Sequence, residues 1–125
     1  MAMPTDLTIY LDDRPGKVAA VGEALGSADV NIEGGFALVV GGQGIMHALV
    51  EDPEAAAQAL RDADFEVRDA QEVVVLDLED RPGELGRLAR RVADAGVNLQ
   101  VFYLATATRV VLGADDIEAL RHAVQ

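Results

Sequence analysis

The sequence predicts an α+β chain of two βαββαβ units in tandem, with antiparallel sheets, helices on one face, and a second unit that lacks its last strand. Three observations carry the prediction. A repeat runs through the chain at one fixed offset. Within each copy, period-two apolar strands alternate with apolar patterns of helical period. The composition, 50% hydrophobic and 26% charged over 125 residues, is that of a folded domain and not of a disordered chain, which cannot offset its ordering entropy.

The repeat is legible by eye. Asp13-Arg14-Pro15-Gly16 returns as Asp80-Arg81-Pro82-Gly83, an offset of 80 − 13 = 67, and the same offset carries Val30-Asn31-Ile32 onto Val97-Asn98-Leu99. Residues 13–32 match 80–99 identically at seven of 20 positions, and the apolar class is kept at others, such as Val18 with Leu85 and Val21 with Leu88. Self-similarity at a fixed period marks a duplicated structural unit, so we divide the chain into domains 1–70 and 71–125.

Each element follows from its pattern. Leu7, Ile9 and Leu11 alternate with Thr8 and Tyr10, giving a strand with one apolar face, and its counterpart is 72–78. Pro-Gly then opens an apolar helical pattern, Val18, Val21 and Leu25 in the first copy and Leu85, Leu88, Val92 and Ala95 in the second. Because proline is favoured at the first helical position, the helices are expected to begin near Pro15 and Pro82. A second strand is predicted over 30–40 and a third over 45–50, joined by a glycine turn at 41–44. The Ala-rich tract 52–64 reads as a helix and 65–68 as a short fourth strand. The second copy repeats this through strands at 97–104 and 108–112 and a helix at 115–124, after which no residues remain for a fourth strand.

Charge and composition exclude several functions. Ten Lys and Arg against 22 Asp and Glu give a net charge of −12, so a nucleic acid or an anionic membrane is not a partner, since both need a cationic footprint. There is no cysteine, which removes disulfides, thiolate metal sites and cysteine nucleophiles and fits a reducing compartment. No basic-then-apolar leader opens the chain, and the longest apolar run, 36–40, is far short of the roughly 20 residues of a spanning helix. A soluble, cytoplasmic protein is expected.

With D-R-P-G between first strand and first helix, and V-N-[IL] opening the second strand, both repeated at one offset, the chain resembles a pair of ACT domains. The resemblance covers about residues 7–124 and is specifically to standalone tandem ACT proteins. It implies ferredoxin-like units and amino-acid sensing without catalysis: an effector bound where two domains pair, the strand-to-helix loop of one facing the start of the second strand of the other. Carried onto this sequence, one site combines Asp13, Arg14, Pro15, Gly16 and Lys17 with Asn98. Its pseudo-symmetric mate combines Arg81, Pro82, Gly83 and Glu84 with Asn31. Gln100 is a nearby polar contact of the first site.

Elementary chemistry supports those residues. A free amino acid presents a carboxylate and an ammonium side by side. The N–H groups of a helix start point outward unpaired and the helix dipole favours an anion there. Asparagine offers an acceptor and a donor on one short side chain, and Asp12, Asp13, Glu79 and Asp80 can accept from an ammonium. The bland readings are ordinary: Pro-Gly is a common helix start, Asp13 and Asp80 are N-cap candidates, and an asparagine between helix and strand can serve a turn. Lys17 in the first loop becomes Glu84 in the second, which favours the first site for an anionic group.

Other features read as structural. His47 and His122 have no companions at metal-ligand spacing. Residues 41–44 lack the Lys and Ser or Thr of a phosphate loop, and Phe102 and Tyr103 read as one core and one interface residue, the alternative being the lining of a pocket for an effector side chain. Residues 73–76 are apolar on both strand faces, which predicts sheet packing on sheet in a homodimer. The leading function is an amino-acid-binding regulatory protein with no cofactor and no metal. The alternative is a ligand-free interaction subunit docking on a metabolic enzyme. An enzyme ranks last, because no nucleophile with an adjacent base and no cofactor fingerprint can be read.

Overall fold

Residues 3–125 are described by the computed structural model, and the chain falls into two units, one up to Gln71 and one from Glu72 to Gln125. In the first, β1 (Thr5–Asp12), α1 (Lys17–Ser27), β2 (Gly34–Val40), β3 (Gln43–Val50), α2 (Pro53–Asp62) and β4 (Glu66–Glu72) follow one another, with strands in the order β4-β1-β3-β2. Strand β3 is antiparallel to both neighbours, Leu7 opposite Ala48 and Phe36 opposite His47. The period-two pattern therefore sends Leu7, Ile9, Leu11, Met46, Ala48 and Val50 to one face, where Val21 and Leu25 of α1 and Ala56 and Leu60 of α2 cover them. Phe65 and Val67 bring the β4 edge onto the same cluster. Each large apolar side chain so buried contributes about 1.5–3 kcal/mol relative to exposure.

The second unit repeats the plan with β5 (Val74–Asp77), α3 (Glu84–Asp94), β6 (Val101–Ala105), β7 (Arg109–Gly113) and α4 (Ile117–Ala123), the strands ordered β6-β7-β5. Leu88 and Val92 of α3 and Leu120 of α4 cover Val110 and Leu112, with Val74 and Leu76 packed alongside. Among the described residues no strand follows α4, so β5 lacks the neighbour that β4 gives β1. The α+β class, the βαββαβ order of the first unit and the short second unit are as the sequence predicts.

Several boundaries differ, for identifiable reasons. The helices start at Lys17 and Glu84, two residues beyond Pro15 and Pro82, because the N-caps are Gly16 (φ 89°, ψ −9°) and Gly83 (φ 90°, ψ −11°). Proline followed by a left-handed glycine is the signature of a type II turn, and in the second copy its bond is made, Glu84 N–H donating to the Arg81 carbonyl at 3.4 Å. Asp13 and Asp80 are therefore not N-caps. The second strands begin later than expected, at Gly34 and Val101, which leaves Asn31 and Asn98 outside them. Strand β4 is longer than the predicted 65–68 and takes in Glu72, so β5 is shorter than 72–78.

The first hairpin turns on Gly41 (φ 56°) and Gly42 (φ 81°) alone, the two-residue turn matched to strand twist. Gln43 and Gly44 belong to β3, and a Cβ on Gly44 would sit 2.9 Å from the Leu11 carbonyl oxygen. Of the run 73–76, Val73 is buried, Val74 and Leu76 pack on the core of their unit, and Val75, on the other face of the strand, is half-buried.

Candidate functional site

The first loop of the repeat turns from the end of β1 into α1, and Gly16 gives it the left-handed residue the turn requires. No side chain caps α1, and none caps α3. The second helix of each unit is built differently: Asp52 accepts the Ala55 N–H at 3.1 Å to cap α2, and Asp116 accepts the Ala119 N–H at 3.0 Å to cap α4. The first-turn N–H groups of α1 thus keep their partial positive charge for whatever enters the loop.

Asp12, Asp13, Arg14, Lys17 and Val18 line a cleft of about 160 Å³ whose far wall is Ala37–Val39 of β2 and Gly44–Ile45 of β3. Drug-sized ligands occupy pockets of about 300–1,000 Å³, so this cleft suits a smaller molecule. Its charges are loosely held. Asp12 lies 3.5 Å from Arg14 and 4.0 Å from Lys17, with Asp12 and Arg14 exposed. The Lys17 ammonium also lies 5.8 Å from the centre of the Phe65 ring. Of the residues proposed for this loop, Asp13, Arg14 and Lys17 line the cleft, and Pro15 and Gly16 shape the turn beside it.

The second loop has the same backbone and different chemistry. Arg81, Pro82, Gly83 and Glu84 line a cleft of about 430 Å³ with Leu104 and Thr108. One oxygen of Glu84 accepts from Arg81 Nε at 2.8 Å and from Arg87 Nη2 at 2.5 Å, while Arg81 also pairs with Glu79 at 2.9 Å. The hydrogen bonds from Arg87 and then Arg81 hold the Glu84 carboxyl below the usual carboxylate range.

The V-N-[IL] motif has a structural logic that leaves its asparagine free. Both first helices end in a Schellman motif: Val30 N–H donates to the Leu25 carbonyl at 2.9 Å, and Val97 N–H to the Val92 carbonyl at 3.2 Å. Asp29 (φ 60°) and Gly96 (φ 74°) supply the left-handed residue. Val30 with Ile32, and Val97 with Leu99, then turn inward onto their cores. Asn31 and Asn98 between them are exposed, as is Gln100, and these three side chains make no hydrogen bond among the described residues.

Asn31 lines a third hollow, of about 380 Å³, with Asp29, Glu33, Glu51 and Asp52. It is separate from the cleft of the first loop in the same unit. Sequence reasoning did not identify the β2 and β3 wall of that cleft, nor Arg87. The latter carried a signal: at offset 67 it replaces Ala20, one turn after Lys17 is replaced by Glu84. His47 is a structural residue, its Nδ1 2.7 Å from the buried carboxylate of Asp6 and its ring stacked on Phe36 at 4.9 Å. Among the described residues no group of three or more His, Cys, Asp or Glu is placed to hold a metal ion. No helix among them is long and apolar enough to cross a membrane.

A βαββαβ unit followed by a βαββα unit, each with an uncapped glycine turn before its first helix, has the fold of a tandem pair of ACT domains. Solved structures agree. The chain is similar to protein BT0572 from Bacteroides thetaiotaomicron, with 25% identity, a TM-score of 0.83, and 98% of this chain and 87% of that one covered. It has the same fold as the ligand-free regulatory subunit of aspartate kinase from Thermus thermophilus, at 21% identity and a TM-score of 0.71 over 99% and 91% of the two chains. The corresponding subunit from Thermus flavus matches at 22% identity and a TM-score of 0.60 over 99% and 92%. No protein-family profile matches the chain, and no curated protein matches its sequence.

Proposed function

We propose that this protein is a non-catalytic regulator that binds a free amino acid at the first loop of the repeat. The observation that carries the reading is the pairing of an uncapped α1 N-terminus with Arg14 and Lys17 on one small cleft. The carboxylate of the ligand sits against the α1 N–H groups and Lys17, and Asp12 or Asp13 accepts from its ammonium. Asn98 and Gln100 complete the site from the domain paired with this loop, and Asn31 stands in the corresponding relation to Arg81, Pro82, Gly83 and Glu84. Two solved structures of the same fold are regulatory subunits of aspartate kinase, which supports control of a metabolic enzyme as the role; the absence of cysteine fits a reducing compartment, the cytoplasm, as the setting. We also infer a homodimer, supported by Phe36, Leu38 and Val40, which stand exposed on the β2 face turned away from the helices.

The test is a thermal-shift screen against the twenty proteinogenic amino acids. A ligand at 100 times its Kd stabilises the fold by about 2.7 kcal/mol, a rise of several degrees in Tm for a chain of this size. One or a few amino acids are expected to give that rise, and Asn98→Ala to remove it. If none of the twenty shifts Tm, the reading fails, and a co-purifying enzyme would then favour a ligand-free docking subunit.

A further inference from the structure

We propose that the second loop is closed by its own glutamate, so that each chain binds one amino acid and binds it at the first loop. The inference rests on the reading of these loops as amino-acid sites. It begins from what the two copies share: Gly16 and Gly83 have φ of 89° and 90° and ψ of −9° and −11°, so both loops present the same turn to the same uncapped helix start. What differs is two side chains one helical turn apart. At offset 67, Lys17 becomes Glu84 and Ala20 becomes Arg87.

Together those changes build an internal ligand. The Glu84 carboxylate receives Arg81 at 2.8 Å and Arg87 at 2.5 Å. The Arg87 guanidinium lies across the turn, one nitrogen 3.5 Å from the Pro82 carbonyl oxygen and another 3.1 Å from where a Cβ of Gly83 would stand. Glu84 is the first residue of α3, so its carboxylate also lies at the positive end of the helix dipole, the place an incoming carboxylate would take. Being tethered, it competes at an effective concentration on the order of millimolar without diffusing away. The first loop has no such occupant: Ala20 cannot reach it, and among the described residues the one carboxylate near Arg14 and Lys17 is the exposed Asp12 at 3.5 and 4.0 Å, Lys17 also lying 5.8 Å from the Phe65 ring.

Charge points the same way. Residues 12–17 hold Asp12, Asp13, Arg14 and Lys17, a balance of 2 − 2 = 0; residues 79–84 hold Glu79, Asp80, Arg81 and Glu84, a balance of 1 − 3 = −2. The larger volume at the second loop, about 430 Å³ against about 160 Å³, does not reverse this. Space admits a ligand, but a carboxylate entering this turn meets Glu84 already paired with both Arg81 and Arg87, and must displace it or share them against its charge.

Isothermal titration calorimetry on the full chain, with each of the twenty proteinogenic amino acids as titrant, tests the proposal. The native protein should bind one per chain, and the double variant Glu84→Lys with Arg87→Ala, which restores the first-loop residues, should bind two. Moving the latch the other way, Lys17→Glu with Ala20→Arg, should weaken binding about tenfold or more, the scale of one lost charge-assisted contact. Two sites in the native chain overturn the inference while leaving the amino-acid reading intact. So does a folded Glu84→Lys, Arg87→Ala variant that still binds one, or unchanged affinity in the Lys17→Glu, Ala20→Arg variant. No binding of any amino acid to the native protein overturns the reading itself, and the inference with it.

Discussion

At the scale of single residues the two copies separate at positions 17 and 84, one lysine and one glutamate on the same backbone. Glu84 is held by two guanidinium groups, and its carboxyl is lowered by the hydrogen bonds from Arg87 first and Arg81 second. A carboxylate whose folded value is lowered adds stability that is present above its unfolded value and is lost as pH falls through the folded one. The stabilisation from Glu84 is therefore complete at neutral pH and fades only on acidification below the ordinary glutamate range. Glu84→Gln keeps the shape and removes the charge, so it should melt below the native protein at pH 7, with a gap that closes as pH is lowered. A gap constant with pH would mean that the contacts of Glu84 are packing and not charge. Screening by solvent keeps the effect small, because these groups are exposed.

At the scale of elements, the four helices among the described residues divide by how they begin. Helices α2 and α4 carry an aspartate N-cap, 116 − 52 = 64 residues apart, whereas the repeat offset is 67; the three-residue difference is the shorter hairpin of the second copy. Helices α1 and α3 begin on a bare glycine turn. Structure is thus secured at the second helix of each unit and left open at the first. Asp52→Ala should cost about 0.5–2 kcal/mol of stability, measured by urea unfolding, while leaving the affinity of the first loop unchanged. A parallel loss of ligand affinity would mean that the two ends of the unit are coupled.

How far the sequence discloses this is itself an element-scale matter. Strands with one wet face and helices with one apolar face announce themselves, because their periods of two and 3.6 are imposed by the core they bury. The repeat then fixes their order. The helix starts are displaced because Pro-Gly satisfies two rules at once, proline as first helical residue and proline before a left-handed glycine, and only the backbone angles of Gly16 and Gly83 decide between them. Asn31 and Asn98 are misplaced into strands because Val30 and Ile32 alternate inward like strand residues while following a Schellman turn. The loops themselves were readable as candidates. The β2 wall of the first cleft was not, since the sheet pairing that puts residues 37–39 on the same cleft as Arg14 joins distant parts of the chain and leaves no local mark.

At the scale of the whole molecule, charge and apolar surface oppose one another. The net charge of −12 is unevenly spread: residues 1–70 hold four cationic against 13 acidic residues, a balance of −9, and residues 71–125 hold six against nine, a balance of −3. The apolar face proposed for self-association, Phe36, Leu38 and Val40, belongs to the more acidic unit. Two copies meeting there bring like charges together, and the repulsion acts over a Debye length of about 30 Å at 0.01 M salt but only about 8 Å at 0.15 M. Burial of three large apolar side chains per copy is not weakened by salt in this way. Dimerisation should consequently tighten as salt is raised, the reverse of an interface held by ion pairs. Light scattering on the eluting protein at micromolar concentration should give twice the mass of one 13.2 kDa chain at 0.15 M salt and a lower average at 0.01 M. Val40→Asp, at a more exposed position of the same face, should leave the fold intact and yield a single chain at both. A single-chain mass for the native protein at 0.15 M would rule out the homodimer, and a dimer that loosens with added salt would place its interface among the charged groups and away from β2.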